Sequence, residues 1–161
     1  MKEQVEANSA LFPNYARFPV TMVKGQGSKL WDDQGKEYLD FTTGIAVTNL
    51  GHSPEPIRQK VAAQLDQLWH VSNLFHIPAQ EQLAQLLVKN SGLDAVFFCN
   101  SGAEANEAAI KLARRYYQVV RKEERHEIIT FRQSFHGRTL ATLTATGQDK
   151  IKEGFAPYID G

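Results

Sequence analysis

The sequence predicts an α/β fold in which a small antiparallel sheet precedes the first elements of a larger sheet with parallel strands. Two observations lead to this prediction. Before residue 52, three short apolar segments are separated by glycine-containing turns. After it, segments with helical periodicity alternate with continuous apolar runs, which is typical of domains built around a parallel sheet.

The bulk composition is that of an ordinary globular protein. Of the 161 residues, 42% are hydrophobic and 22% are charged, which is sufficient for one domain with a sizeable core. The 18 basic residues are balanced by 18 acidic ones, so no basic field attracts nucleic acid or anionic lipid. The single cysteine and the absence of a signal-like N-terminus or a long apolar run favour a cytoplasmic protein without membrane contact.

The first part of the chain is predicted to form the small sheet. Gly25-Gln-Gly27 and Asp32-Asp-Gln-Gly35 supply the turns between its strands. The strands are expected at residues 20–24, 29–32 and 37–41, and a loop follows them at residues 42–52. We therefore assign residues 1–52 to a small domain and residues 53–161 to the first part of a large one.

Three helices are predicted in the second part, because apolar residues recur there at helical spacing. The first begins with Ser53 as the N-cap and Pro54 in the first turn. The second covers residues 79–90 and stops at Gly92, and the third covers residues 103–124. The residues expected to face inward are Ile57, Val61, Leu65, Leu68 and Trp69 in the first helix, Leu83, Leu86 and Leu87 in the second, and Ala105, Ala108, Ala109, Leu112, Tyr116 and Val119 in the third.

Two continuous apolar runs predict strands that are covered on both faces. These runs are Ala95 to Cys99 and Ile128 to Phe131. Cys99, at the end of the first run, is expected to be buried and inert. Residues 140–145 are interpreted as a further element, either strand or helix.

The strongest functional signal lies where the first buried strand meets the third helix. There, Asn100-Ser101-Gly102-Ala103 forms a small-residue turn, which directs backbone N–H groups and the positive end of a helix dipole at one spot. Because Ser101 and Glu104 also fit a capping box, the pattern is explained by capping alone or by capping combined with phosphate binding. The position after a strand favours a ligand.

A second segment, Ser134-Phe-His-Gly-Arg-Thr139, carries side chains suited to a flat cofactor and a carboxylate substrate. Phe135 offers a face for stacking on a planar ring, with a place in the core as the alternative. Arg138 offers a planar fork for a carboxylate, with a surface salt bridge as the alternative.

Other polar residues are given no functional role by their spacing. No histidine pair has metal-ligand spacing and there is only one cysteine, so no metal site is predicted. Glu107 and Lys111 are expected to form an i,i+4 pair on a solvated helix face.

These motifs closely resemble the class III pyridoxal-phosphate aminotransferases, and within that family its acetylornithine branch. The stretches that carry the resemblance are residues 30–41, 68–74, 100–114 and 134–148. The resemblance implies aminotransferase fold type I, of which this chain holds only the N-terminal part: a segment of the small domain and the start of the large parallel or mixed-sheet domain that binds pyridoxal 5'-phosphate. It also implies a homodimer when the protein is complete.

The resemblance assigns roles to individual residues. Ser101, Gly102 and Ala103 match the turn that binds the cofactor phosphate, Phe135 matches the aromatic ring that stacks on the cofactor, and Arg138 matches the arginine that binds a substrate carboxylate. The family's Schiff-base lysine lies beyond residue 161. No catalytic residue is therefore assigned in this chain, which we interpret as the front part of a longer protein and expect to be inactive alone.

The implied reaction converts N-acetylornithine and 2-oxoglutarate to N-acetylglutamate 5-semialdehyde and glutamate, a step in arginine biosynthesis. Ile45 stands where ornithine aminotransferases carry a tyrosine, which favours this branch. The alternatives within the family are succinylornithine, ornithine and 4-aminobutyrate as amino donors. Alternatives of another class are a non-catalytic domain that binds a phosphate-containing ligand and a flavodoxin-like phosphate binder.

Overall fold

A computed structural model describes residues 10–161, which divide into two compact units. The first unit ends at Phe75, and the second covers His76–Gly161. The assignment of residues 1–52 and 53–161 to the small and large domains of a whole protein stays a prediction, and its first nine residues lie outside the described ones. None of the helices formed by residues 10–161 has the length and apolar character that crossing a bilayer requires.

A three-stranded antiparallel sheet occupies the first unit, as predicted. Its strands are β1 (Met22–Gln26), β2 (Lys29–Asp32) and β3 (Glu37–Leu39), in the order β1-β2-β3. Asp32 fixes the turn after β2, because its carboxylate accepts the N–H of Lys36 at 2.8 Å and the hydroxyl of Tyr38 at 2.8 Å. Burial raises the pKa of Asp32, but hydrogen bonds from these two groups and from the N–H of residue 34 outweigh it and hold the pKa below its usual range.

The loop after β3 is tied down by Asp40. One of its carboxylate oxygens accepts the N–H groups of Thr42 and Thr43, both at 2.9 Å, and the other lies 2.7 Å from His52 Nε2. His52 in turn exchanges two backbone hydrogen bonds with Gly27, at 2.9 and 2.8 Å. The hydrogen bond to His52, followed by those from Thr43 and Thr42, holds the pKa of Asp40 well below its usual range. Both ends of the loop are therefore attached to the sheet.

The first two predicted helices are present. Helix α1 covers Glu55–Leu65, and helix α2 covers Pro78–Ser91. Gly92 ends α2 in a left-handed conformation with a φ of 71°, as predicted for a glycine stop. The prediction of Ser53 as the N-cap is wrong: its φ is 51°, and the extended backbone of Pro54 makes that residue the cap. A 3₁₀ turn, Ser72–Leu74, lies between α1 and α2.

The second unit continues with three further helices. Helix α3 covers Gly102–Arg115 and runs into a π-helical turn, Tyr116–Arg121, so the predicted long third helix is confirmed. Helix α4 covers Leu140–Ala145 and decides between the two alternatives for that segment. A last short helix, α5, covers Asp149–Lys152.

The two apolar runs predicted as buried strands form no β-ladder among residues 10–161. Phe97 and Ile129 are 70% and 96% exposed, and Cys99 is exposed rather than buried. A strand needs a neighbour to satisfy its backbone hydrogen bonds, and the described residues supply neighbours only to β1–β3. The apolar character of the two runs is visible in the local sequence. Whether they pair as strands depends on segments that are distant in the sequence.

The predicted inward faces of the helices are also exposed among the described residues, except that Ala108 of α3 is partly buried. The best-buried part of the second unit lies where α3 meets α4, with Thr142 and Thr146 fully buried and Leu143 4% exposed. On α3, a different helical face from the predicted one is turned toward α4. Its partly buried residues are Ala103, Asn106, Glu107, Ile110, Ala113 and Arg114.

Candidate functional site

The predicted phosphate turn has the geometry of a capped helix start. Ser101 has an extended backbone and accepts the N–H of Glu104 on its hydroxyl oxygen at 3.2 Å. The carboxylate of Glu104 reaches back to accept the N–H of Asn100 at 2.6 Å. This confirms the capping interaction, with the glutamate bonded one residue further upstream than in the standard box.

The first N–H groups of α3 remain available. Among residues 10–161, no hydrogen bond engages the backbone N–H of Gly102 or Ala103. A methyl group built on Gly102 would meet no atom within 4 Å, so the space beside this residue is open. Two unengaged donors at the positive end of a 14-residue helix fit an anionic group such as a phosphate.

Helix α3 also holds the second predicted segment beside this turn. The amide of Asn106 donates to the carbonyl oxygen of His136 at 2.7 Å, and the hydroxyl of Thr139 donates to the carboxylate of Glu107. These contacts join positions far apart in the sequence. The structure therefore brings the Ser101–Ala103 turn and residues 134–139 onto the same helix end.

Gly137 is the point of closest approach between the two segments. It is buried, and its φ is 132°. A Cβ at this position would lie 2.6 Å from Thr142 Oγ1 and 2.8 Å from Ala103 Cβ, which is too close for any side chain. Only glycine permits this packing and this backbone conformation.

Two buried threonines, Thr142 in α4 and Thr146 directly after it, form hydrogen bonds to residues 134–139 on the side away from α3. Thr146 Oγ1 accepts the N–H of His136 at 3.0 Å and donates to the carbonyl oxygen of Thr142 at 2.9 Å. Thr142 Oγ1 accepts the N–H of Thr139 at 3.1 Å. The segment is thus hydrogen-bonded on both of its sides, to α3 and to α4.

The two residues predicted to contact ligands are exposed, on either side of a buried glycine. Phe135 is 54% exposed and Arg138 is exposed, whereas Gly137 between them is buried. Among the described residues Phe135 is not buried, and both its stacking role and its alternative place in the core stay predictions for the whole protein. The ring nitrogen Nε2 of His136 is buried without a hydrogen-bond partner among the described residues.

Two polar residues of this site were not recognised in the sequence as part of it. Glu107 was predicted to pair with Lys111 on a solvated face, but it is partly buried and bonded to Thr139. Asn106 was given no role. Their one detectable signal is their spacing of three and four residues from Ala103, which places all three on one face of α3.

Ser101, Gly102, Phe135 and Arg138 are all exposed. A separate cleft of about 200 Å³ lies beside α2 and is lined by His76, Pro78, Glu81, Gln82 and Gln85. None of the residues predicted to bind a ligand lines it. The described residues hold no group of three metal-ligating side chains.

Comparison with known proteins gives consistent relatives. Residues 11–161 match the sequence family described as aminotransferase class-III. The acetylornithine aminotransferase of Oceanobacillus iheyensis is 56% identical over 161 residues, covering 100% of this chain and 40% of that protein. The acetylornithine aminotransferase of Halalkalibacterium halodurans is 62% identical over 152 residues, covering 94% and 38%. The chain thus spans about two fifths of the length of the curated relatives it matches.

Solved structures overlap the chain along its whole length. The ornithine aminotransferase from Toxoplasma gondii matches with a TM-score of 0.91 at 27% identity, covering 100% of this chain and 39% of that one. An omega-transaminase from Thermomicrobium roseum matches with a TM-score of 0.88 at 32% identity, covering 99% and 38%. These overlaps confirm the predicted fold class.

Proposed function

Because the chain belongs to the class III aminotransferase family, we propose that the whole protein is an acetylornithine aminotransferase that uses pyridoxal 5'-phosphate. It would transfer the amino group of N-acetylornithine to 2-oxoglutarate, giving N-acetylglutamate 5-semialdehyde and glutamate, a step in arginine biosynthesis. The support is the 52–62% identity to several proteins of that name. The observation that carries the site is the joining of a capped helix start to a segment in which Phe135 and Arg138 are exposed residues.

The residues present fit this cofactor. The N–H groups of Gly102 and Ala103 are proposed to bind its phosphate, which is supported by their having no other acceptor among the described residues, and the Ser101 hydroxyl, which accepts from Glu104, keeps its own hydrogen for a phosphate oxygen. Phe135 offers a face on which a pyridine ring stacks. When bound, the cofactor supplies a ring that accepts the electron pair released at the substrate carbon.

Arg138 is proposed to bind and orient a substrate carboxylate. Its planar guanidinium matches a carboxylate with two parallel hydrogen bonds, which fixes direction as well as affinity. Its neighbours are held to α3 and α4 by the contacts described above, so the substrate is held relative to the cofactor anchor. Orientation of this kind increases the reaction rate because it keeps the reacting atoms of substrate and cofactor at the right distance and angle.

The covalent and proton-transferring lysine is proposed to lie outside residues 1–161. Lys111, the lysine nearest to the site in sequence, is on the exposed face of α3. The isolated chain is therefore expected to be inactive, whereas the complete protein is expected to be an active homodimer of the cytoplasm. The balanced charge and the single cysteine support that location.

Steady-state kinetics on the full-length protein test the proposed substrate. With 2-oxoglutarate as the acceptor, kcat/KM is expected to be highest for N-acetylornithine when compared with succinylornithine, ornithine and 4-aminobutyrate. A higher value for any of these three would assign the protein to that substrate. Cofactor binding without turnover of any donor would favour the non-catalytic alternative.

A further inference from the structure

We propose that Asn106 and Glu107 are positioning residues for Arg138, so that the affinity of the site for a carboxylate depends on these two side chains of α3. The inference rests on the proposed function, which gives Arg138 its ligand. Neither residue is expected to touch the substrate. Each acts through the backbone on one side of the arginine.

The contact of Glu107 lies directly after Arg138. Thr139 donates its hydroxyl hydrogen to the Glu107 carboxylate, and its oxygen lies 2.7 Å from the hydroxyl oxygen of Thr142. Because the hydrogen of Thr139 is used for Glu107, the hydrogen between the two hydroxyls comes from Thr142, which also has the carbonyl oxygen of Thr139 as an acceptor at 3.2 Å. Glu107 therefore ends a chain of hydrogen bonds that begins at a fully buried residue.

The contact of Asn106 lies on the other side of Arg138. Its amide donates to the carbonyl oxygen of His136, two residues before the arginine, at 2.7 Å. Between them, Gly137 is packed against Ala103, which leaves that peptide no room to shift toward α3. The backbone of Arg138 is thus held to one helix at residues 136, 137 and 139.

Loss of either contact is expected to affect carboxylate binding more than cofactor binding. The phosphate turn at Ser101–Ala103 has its own capping bonds, which do not involve Asn106 or Glu107. Hydrogen bonds to an ionised carboxylate are among the stronger ones in proteins, and a small displacement of an orienting group weakens binding substantially. A defect confined to ligands with a carboxylate would separate positioning from general damage.

The experiment measures glutarate, an unreactive dicarboxylate, by titration of the visible spectrum of the full-length protein loaded with pyridoxal phosphate. Glu107→Ala is expected to raise the dissociation constant of glutarate about tenfold. Its cofactor content should equal that of the unmodified protein. Glu107→Gln keeps an oxygen for Thr139 and is expected to restore most of the affinity. Lys111→Ala, on the exposed face of the same helix, is the matched control and should bind glutarate normally.

Arg138→Lys, measured in parallel, separates two claims: that Arg138 binds the carboxylate, and that Glu107 positions Arg138. If this variant binds glutarate as tightly as the unmodified protein, the carboxylate role of Arg138 in the proposed function is wrong. If it weakens glutarate while Glu107→Ala does not, the positioning role is overturned and the proposed function stands. The double variant should bind no more weakly than Arg138→Lys alone, and additive losses would contradict the inference.

A second pair of variants covers the case in which Glu107→Ala does not fold. Thr139→Val removes the hydroxyl donor, and Thr139→Ser keeps it. The valine variant is expected to weaken glutarate and the serine variant to bind it nearly normally. Equal affinity in the two would overturn the role of the Glu107 contact.

Discussion

Replacement of Gly137 by alanine should disrupt the contact between residues 134–139 and helix α3. The new Cβ would lie 2.6 Å from Thr142 Oγ1 and 2.8 Å from Ala103 Cβ. Neither neighbour is able to move easily, because Thr142 is fully buried and Ala103 is part of helix α3. To remove these two close contacts, residues 134–139 have to move away from α3. This movement would lengthen their hydrogen bonds to Asn106 and Glu107.

Two effects add in the expected free energy of unfolding. Overpacking of a tight core costs about 1–3 kcal/mol, and a side chain at a φ of 132° adds backbone strain of about 1–3 kcal/mol. The variant should therefore lose about 2–6 kcal/mol of unfolding free energy. Gly102→Ala is the control for stability, because its methyl group meets nothing within 4 Å and its change should stay below about 0.5 kcal/mol.

Urea unfolding of the two full-length variants, without cofactor, is the assay. The unfolding midpoint of Gly137→Ala should fall clearly below that of Gly102→Ala, and glutarate binding by the reloaded protein should weaken. Equal midpoints of the two variants, together with a glutarate affinity of Gly137→Ala equal to that of the unmodified protein, would refute the conclusion that Gly137 sets the approach of the two segments.

Three further predictions concern the anchor, the substrate handle and the loop after β3. Gly102→Val should lower the affinity of the full-length protein for pyridoxal phosphate at least about tenfold by crowding the phosphate; an unchanged absorbance titration would contradict the phosphate assignment. Arg138→Lys should raise KM for both substrates and leave the spectrum of the bound cofactor intact, so an unchanged KM for both would remove its role. The lowered pKa of Asp40 means that the folded state binds a proton less readily than the unfolded one. Its contribution to stability is present above the usual aspartate value of 3.8 and is lost as pH falls below it. Thermal midpoints of Asp40→Asn should therefore depend less on pH than those of the unmodified protein over this acidic range, and parallel curves would show that Asp40 contributes nothing there.

The helical parts of the site could be predicted from the sequence because their causes are local. Ser101 and Glu104 are three residues apart, and their capping bonds form within one turn. Gly92 ends α2 for a reason contained in its own backbone. The same holds for the strands of the small sheet, whose turns span only a few residues.

Strand pairing and helix orientation could not be predicted in this way. The apolar runs at residues 95–99 and 128–131 satisfy the composition of a strand, but a ladder requires another segment beside each of them. For α3, the more apolar stripe was expected to face inward, and the structure turns Ala103, Asn106 and Glu107 toward α4 instead. That face mixes apolar and polar residues, and its Asn106 and Glu107 accept or donate hydrogen bonds that satisfy a backbone carbonyl and a hydroxyl of the packed segment.

By itself, the sequence determined the small sheet, the three main helices, the capped turn at Ser101 and the family, since short-range spacing and motif identity carry all of these. Only the tertiary structure decided that the turn and residues 134–139 meet, and that Asn106, Glu107 and Gly137 join them. The physical reason is the distance along the chain: about thirty residues separate the partners, and no local propensity encodes which hydrogen bond closes that gap.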